Sequence, residues 1–142
     1  MRFVFCAFFF VAALSLAGCS KNNDISTSAQ DYCKRAYQFV DAGYPKEAID
    51  LFDLAIKKDP NFFEAHYNRG VVHFLMKNYQ EAIKDFSRAL LVEPKNPMVY
   101  ASRGEVYQAI NDSDKALSDY KIAARLGSLE TQKYLRSKNI SW

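Results

Sequence analysis

From Ala29 onwards, apolar residues recur at spacings of three and four between polar ones, which is the pattern of amphipathic α-helices. The pattern predicts six helices, over 30–42, 45–58, 63–76, 79–92, 97–110 and 113–126. A shorter amphipathic segment over 128–138 predicts a seventh helix that caps the others, with a tail to residue 142. The predicted fold class is therefore all-α.

The ends of the predicted helices carry their own markers. Pro60 and Pro94 end two of the helices, because proline disfavours helical geometry in the residue before it. Asn78 and Asp112 are residue types that cap helix N-termini, and Pro45 suits a first helical position. These markers group the six helices into three pairs.

The helix pairs repeat every 34 residues without a gap, in the units 29–62, 63–96 and 97–130. Small residues recur at three positions of each unit, and aromatic residues or histidine recur at three others. The small residues are Ala36, Gly70 and Gly104; Ala48, Ala82 and Ala116; and Ala55, Ala89 and Ala123. The large residues are Tyr32, His66 and Tyr100; Phe39, His73 and Tyr107; and Phe52, Phe86 and Tyr120. Small residues let helix backbones approach closely, and large rings fill the gaps between them.

This pattern resembles the tetratricopeptide repeat, a helix pair with the same small and aromatic positions and a closing proline. The resemblance implies an α-solenoid of three stacked helix-turn-helix repeats, closed by a capping helix and tail over 128–142. The third unit departs from the pattern, since Ser128 stands where the first two units have proline. In this family the first helix of each pair lines a concave groove that binds protein or peptide segments.

The groove positions of the family, placed on this sequence, predict a peptide-binding surface. They are Tyr37, Val40, Tyr67, Val71, Phe74, Met98, Ala101, Glu105 and Gln108. Tyr67, Val71 and Phe74 lie on the third helix at successive spacings of four and three residues, so they form one apolar stripe. An exposed apolar stripe usually marks an interaction site, although the alternative is that several of these side chains pack between helices. Some family members hold a C-terminal carboxylate in a charged clamp, but only Lys34 and Asn68 would be available for one here.

The first nineteen residues form a separate segment. Arg2 precedes an apolar run from Phe3 to Ala17 that is interrupted only by Ser15. The run is short for a permanent membrane-spanning helix and typical of a secretory signal. It ends in the sequence Leu-Ala-Gly-Cys, whose last residue is Cys19, and this ending resembles the bacterial lipobox.

Cleavage before Cys19 would divide this region in two. Residues 1–18 are then a lipoprotein signal peptide, and residues 19–28 are a lipidated N-terminus and flexible polar tether. The resemblance implies acyl chains, palmitate among them, at Cys19, so that the protein contacts the membrane through its N-terminal lipid. Ser20 after the cysteine, in place of aspartate, favours the outer membrane, facing the periplasm. The alternative is an uncleaved signal anchor.

Composition and motifs argue against several classes of function. The formal net charge of +3 is too small for a nucleic-acid-binding surface, so no nucleic acid is expected as a partner. The sequence has no glycine-rich phosphate loop, nucleophile elbow or Cys-x-x-Cys pair, so we expect no enzyme and no cofactor. His66 and His73 are seven residues apart on one predicted helix, about 10.5 Å along its axis. This separation is too large for the two histidines to bind one metal ion, so we expect both side chains to pack in the core and no metal to be bound.

Arginines recur at the seventh position of every unit, as Arg35, Arg69 and Arg103. Sixteen residues after them stand Leu51, Asp85 and Asp119, respectively. A guanidinium beside a carboxylate at a helix seam is a structural arrangement, and we favour it over a ligand site.

The leading functional hypothesis is a non-enzymatic, lipid-anchored adaptor or scaffold of the bacterial cell envelope that binds a protein or peptide partner in its groove. The alternative is a self-assembling structural subunit, or a pilotin-like assembly factor for a pilus or secretion complex. A homo-oligomer could form by end-to-end stacking or through Cys33, the one thiol left once Cys6 is removed with the signal peptide and Cys19 is lipidated. We favour a buried position for Cys33 over an intermolecular disulfide.

Overall fold

The structure, a computed structural model, describes residues 27–142, so the predicted signal peptide and the lipidation of Cys19 lie outside it, as does most of the tether. Seven α-helices follow one another in this part of the chain. They are α1 (Ala29–Asp41), α2 (Pro45–Lys58), α3 (Phe63–Leu75), α4 (Tyr79–Val92), α5 (Pro97–Ala109), α6 (Ser113–Arg125) and α7 (Leu129–Ser137). Every predicted helix is confirmed to within one residue at each end, and so is the all-α class. Each helix from 27 to 142 is too short or too polar to span a bilayer.

Side-chain caps fix several helix starts. The Ser28 hydroxyl accepts a hydrogen bond from the Asp31 amide at 3.1 Å, and the Asp31 carboxylate accepts one from the Ser28 amide at 3.1 Å. Asp112 caps α6 as predicted, because its carboxylate accepts from the Lys115 amide. Asn78 precedes α4 but its side chain makes no capping bond, which corrects the prediction. Its amide instead lies 3.5 Å from Nδ1 of His73.

The turn inside each helix pair has one residue with positive φ at the same repeat position. These residues are Gly43 (φ 80°), Lys77 (φ 63°) and Asn111 (φ 62°). The amide of the next residue then reaches back to a carbonyl near the end of the first helix, as Tyr44 does to Phe39 at 2.8 Å. The shared turn orients the second helix of each pair in the same way.

The core consists of three clusters, one for each repeat, and each is completed by the next helix along the chain. Phe52, Phe86 and Tyr120 lie at their centres and are at most 8% exposed. The small residues predicted at the helix contacts are all buried. Phe39 departs from its predicted core position, since it is 36% exposed and contacts Tyr44 edge-on.

The seventh helix caps the third repeat in the way that α3 and α5 cover the first two. Leu135 is fully buried in the third cluster, and Ile140 and Trp142 pack against it. The Arg136 guanidinium lies 5.4 Å from the centroid of the Trp142 ring. The terminal apolar residues therefore pack against the last helices, as predicted.

Arginine–aspartate pairs lie between the two helices of the second and third repeats. Nε and Nη2 of Arg69 donate to the two carboxylate oxygens of Asp85 at 2.8 and 2.6 Å. Arg103 donates to Asp119 in the same way, at 2.8 and 2.9 Å. The two carboxylates are almost fully buried. Burial raises the pKa of Asp85, but the hydrogen bonds and charge of Arg69 outweigh it and hold that pKa below its ordinary value.

The third nitrogen of each guanidinium reaches back into the preceding repeat. Nη1 of Arg69 contacts the carboxylate of Asp53 on α2, and Nη1 of Arg103 donates to Oγ of Ser87 on α4 at 3.0 Å. Each arginine therefore closes its own helix pair and links it to the previous one, so the structural interpretation of these residues is confirmed.

Candidate functional site: the concave groove

The nine predicted groove residues lie on the first helices of the three repeats. Two are on α1, three on α3 and four on α5. Each of the nine retains some solvent exposure, and Tyr37 and Met98 are exposed by 41% and 49%. The prediction that this face is open to a partner is therefore compatible with the packing.

A cleft of about 530 Å³ lies between α5 and α7 at the C-terminal end of this face. The predicted residues that line it are Phe74, Ala101, Glu105 and Gln108. The residues of the cleft that were not predicted are Ala109, Tyr120, Glu130, Thr131 and Tyr134. Three of these five belong to α7, for which the sequence predicted a capping role only. One residue in the sequence could have indicated that α7 contributes to this site. Tyr134 lies at the position where the repeat pattern has its first large side chain.

The other five predicted residues lie outside the cleft, and two of them link neighbouring helices. The Tyr37 hydroxyl accepts a hydrogen bond from Nδ2 of Asn68 at 2.6 Å, which joins α1 to α3. The Tyr67 hydroxyl lies 3.2 Å from Oγ of Ser102 and joins α3 to α5. The Tyr67 ring also stacks on Phe63, with centroids 5.9 Å apart. These tyrosines therefore serve in part as helix contacts, which was the alternative considered for this stripe.

Tyr120 forms an ordered floor to the cleft. Its hydroxyl donates to Oε1 of Gln108 at 2.9 Å, and its ring meets Tyr134 edge-on with centroids 5.2 Å apart. Burial, followed by the negative charge of Glu105, raises the pKa of Tyr120 to about 12. The phenol therefore stays neutral at physiological pH and holds Gln108 in place.

The charged residues that line the cleft are both acidic. Glu105 on α5 and Glu130 on α7 are exposed, and the lining includes no lysine or arginine. Partial loss of hydration, and then the negative charge of Glu130, raise the pKa of Glu105. The cleft therefore combines aromatic surfaces with negative potential, an environment that disfavours anionic groups.

The residues that could have formed a carboxylate clamp are not arranged as one. Nδ2 of Asn68 donates to the Glu64 carbonyl as well as to Tyr37, so this amide is already engaged. Lys34 is exposed on α1 and does not line the cleft.

The two histidines pack within the repeat. His66 is 5% exposed, and its Nε2 donates to the Pro60 carbonyl at 2.8 Å. His73 is half-buried, with Nε2 4.0 Å from Asp85. Between residues 27 and 142, no group of three or more His, Cys, Asp or Glu side chains is arranged to hold a metal ion. Cys33 is buried as predicted, and burial raises the pKa of its thiol to about 11.

Comparison with known proteins identifies the architecture. Residues 63–96 match the sequence model of the tetratricopeptide repeat, and these are the residues of the second predicted unit. Tetratricopeptide repeat protein 13 of Homo sapiens is 28% identical over 96 residues, which is 64% of this chain and 11% of that protein. Hsp70-Hsp90 organizing protein 3 of Arabidopsis thaliana is 28% identical over 83 residues, which is 58% of this chain and 15% of that protein.

A solved structure with a similar fold is the first tetratricopeptide domain of Spaghetti (RPAP3), bound to the HSP90 peptide SRMEEVD. It superposes with a TM-score of 0.72 at 24% sequence identity, over 79% of this chain and 90% of that chain. This chain spans between 11% and 15% of the length of the two curated relatives. Residues 29–137 are thus a tetratricopeptide-type α-solenoid of three repeats and a capping helix.

Proposed function

We propose that this protein is a non-enzymatic adaptor that binds a protein or peptide partner in its concave groove. We further propose that lipid on Cys19 anchors it in a bacterial cell envelope, at the outer membrane and facing the periplasm. In this function the protein performs no reaction. The lipid confines the domain to a membrane surface, and the groove recruits the partner.

The observation that carries the groove proposal is the cleft between α5 and α7. Its volume of about 530 Å³ falls within the range of ligand pockets, and aromatic side chains with a few polar groups line it. Phe74 contributes to the cleft while packing on Tyr79, with ring centroids 6.0 Å apart. A rigid, partly apolar cleft on a repeat scaffold suits an extended segment or a helix of another protein.

The relatives support the class of partner. The Spaghetti domain is solved with an HSP90 peptide bound, and the Arabidopsis relative is named an Hsp70-Hsp90 organizing protein. The bound molecule in the first case is a peptide and the name of the second refers to two proteins, and we propose a partner of the same broad class, a protein or peptide, for this chain.

Site-specific crosslinking in intact bacterial cells tests the groove. The full chain, lipidated in a bacterium, would carry photoreactive benzoylphenylalanine in place of Gln108, which lines the cleft and is exposed. The matched control would carry it in place of Leu91, a residue of α4 that is 74% exposed and lies outside the cleft. We expect a covalent adduct with a second protein from position 108 and none from position 91, identified by mass spectrometry.

Two results of this experiment would reject groove binding. Identical adducts from the two positions would mean that contact is unrelated to the cleft. Adducts that contain only copies of this chain would favour the self-assembling structural alternative.

The lipid anchor needs a separate test, because the groove does not depend on it. Cys19→Ser removes the thiol that would accept diacylglycerol, so we expect the variant to leave the membrane fraction. The wild-type chain should begin at Cys19, carry the mass of its acyl chains, and sediment with outer-membrane markers in a density gradient. An unprocessed chain that retains residues 1–18 would instead indicate a signal anchor.

A further inference from the structure

The cleft presents carboxylates from two different helices. Glu105 on α5 and Glu130 on α7 both line the cleft, and the negative charge of Glu130 adds to the effect of burial in raising the pKa of Glu105. Neither carboxylate forms an ion pair or hydrogen bond with any residue in the range 27–142. Two like charges that share a cleft raise its energy, and a cation placed between them would remove that cost.

The aromatic rings of the cleft add a second preference for positive charge. Phe74, Tyr120 and Tyr134 all line it, and Tyr134 keeps 38% of its surface exposed. The negative faces of aromatic rings attract ammonium and guanidinium groups. Tyr120 is held by Gln108 and remains uncharged, so this surface is already arranged before a ligand arrives.

From this combination we infer that the cleft receives a lysine or arginine side chain, presented by an extended segment of the partner protein. The inference rests on the groove function proposed above, and it specifies the chemistry of the partner. Aliphatic carbons of the side chain would lie against the aromatic floor, while its charged end would sit between Glu105 and Glu130. Arginine fits better than lysine because its planar guanidinium both stacks on rings and bonds to carboxylates.

The same charges disfavour acidic segments. The peptide in the Spaghetti structure has the sequence SRMEEVD, which ends in two glutamates, a valine and an aspartate. A terminus of this kind placed in the cleft would bring its carboxylates towards Glu105 and Glu130, and like charges at close range cost binding energy. We therefore expect this chain to have the opposite charge preference.

Titration with matched peptides tests the inference. The probes are three blocked pentapeptides of alanine and leucine whose central residue is arginine, citrulline or glutamate. Citrulline has nearly the shape of arginine without its charge. With the full lipidated chain in detergent micelles, nuclear magnetic resonance shifts of Ala101 and Tyr134 report binding to the cleft. We expect the arginine peptide to bind at least ten-fold more tightly than the citrulline peptide, and the glutamate peptide to bind least.

A pair of charge-matched variants locates the effect. Glu105→Gln with Glu130→Gln should remove the preference for arginine over citrulline. Glu47→Gln with Asp50→Asn removes the same net charge from α2, outside the cleft, and should preserve the preference.

The outcomes separate this inference from the groove proposal. Equal affinity for the arginine and citrulline peptides, or a preference that survives Glu105→Gln with Glu130→Gln, would overturn the cation preference while groove binding stands. If the peptides shift no signal in the cleft and position 108 also fails to crosslink a second protein, both proposals fall.

Discussion

The first repeat and the two that follow it have the same backbone fold, yet they differ in the residues at three repeat positions: the seam between the two helices, the eighth position and the turn. At the seam between its two helices the first repeat buries Leu51, whereas the second buries Asp85 and the third buries Asp119. Arg35, which is equivalent to Arg69, is exposed. An apolar contact and a buried ion pair therefore fill the same seam of the same fold.

The ion pairs occur where the arginine has the second helix of a preceding repeat within reach. Arg69 contacts Asp53 on α2, and Arg103 donates to Ser87 on α4. Because the desolvation of two charges offsets much of their attraction, a buried ion pair is weak evidence for stability. Its directional bonds do fix how one repeat is rotated against the next. The comparison thus suggests that the pairs set the stacking of repeats rather than the strength of each helix pair.

Breaking the second repeat's ion pair should have the largest effect on stability. Asp85 is 1% exposed, so Asp85→Asn removes the buried carboxylate from the Arg69 guanidinium and leaves it only the exposed Asp53 as an anionic partner. We expect the free energy of unfolding to fall by about 3 kcal/mol, as for other buried pairs that lose one partner. Urea unfolding followed by far-ultraviolet circular dichroism measures this change.

Two variants control for this prediction. Asp53→Asn removes the exposed partner of the same arginine and should cost less than about 1 kcal/mol. Arg69→Met with Asp85→Leu makes this seam apolar, with leucine at the position of Leu51 in the first repeat, and its stability should return to within about 1 kcal/mol of wild type. If Asp85→Asn costs no more than Asp53→Asn, the buried pair does not distinguish the repeats energetically.

The repeats, the helix bounds and the arginine pairs could be predicted because all three depend on spacing along the chain. Residues sixteen apart in this repeat face each other across one helix pair, so Arg69 and Asp85 had to meet once the helices formed. The same periodicity placed Phe74, Ala101, Glu105 and Gln108 on the face where the cleft lies.

The contribution of α7 to the cleft could not be predicted in this way, because the sequence after residue 130 no longer follows the repeat pattern. Glu130 and Thr131 line the cleft because of how α7 packs, and Tyr134 is the one residue of that helix that the repeat pattern accounts for. Asn78 shows a second limit, since its position before α4 was right while its side chain turned towards His73. Side-chain choices among nearby partners depend on tertiary contacts that spacing does not encode.

The eighth position of the repeat offers a test of intermediate size. The first repeat has Ala36 there, whereas a Cβ added at Gly104 would lie 2.8 Å from a ring carbon of Tyr120. Overpacking costs about 1–3 kcal/mol and the gain in helix propensity offsets about 1 kcal/mol, so Gly104→Ala should lose about 1 kcal/mol. Because Tyr120 must shift, its ring resonances and those of Tyr134 should also move.

The reciprocal change sharpens this test. Ala36→Gly removes a methyl group that is fully buried, so it should lose about 2 kcal/mol, about half through helix propensity and about half through packing. We therefore expect each repeat to be most stable with the residue that it has at the eighth position. A gain in stability from Gly104→Ala would mean that Tyr120 moves aside at no cost, and that the repeats tolerate either residue.

The turn position gives the smallest expected effect and has the cleanest control. Lys77 has φ 63°, a left-handed conformation that glycine adopts freely and that Gly43 adopts in the first repeat with φ 80°. Lys77→Gly relieves the contact of Cβ with the backbone but adds entropy to the unfolded chain, so the net gain should be about 0.5 kcal/mol. Gly43→Ala should lose about 1 kcal/mol, although a Cβ there meets no atom within 4 Å. Since that site is open, any loss must come from backbone conformation alone. Thermal unfolding of the two variants would measure this, and a neutral Gly43→Ala would show that the turn accepts any residue.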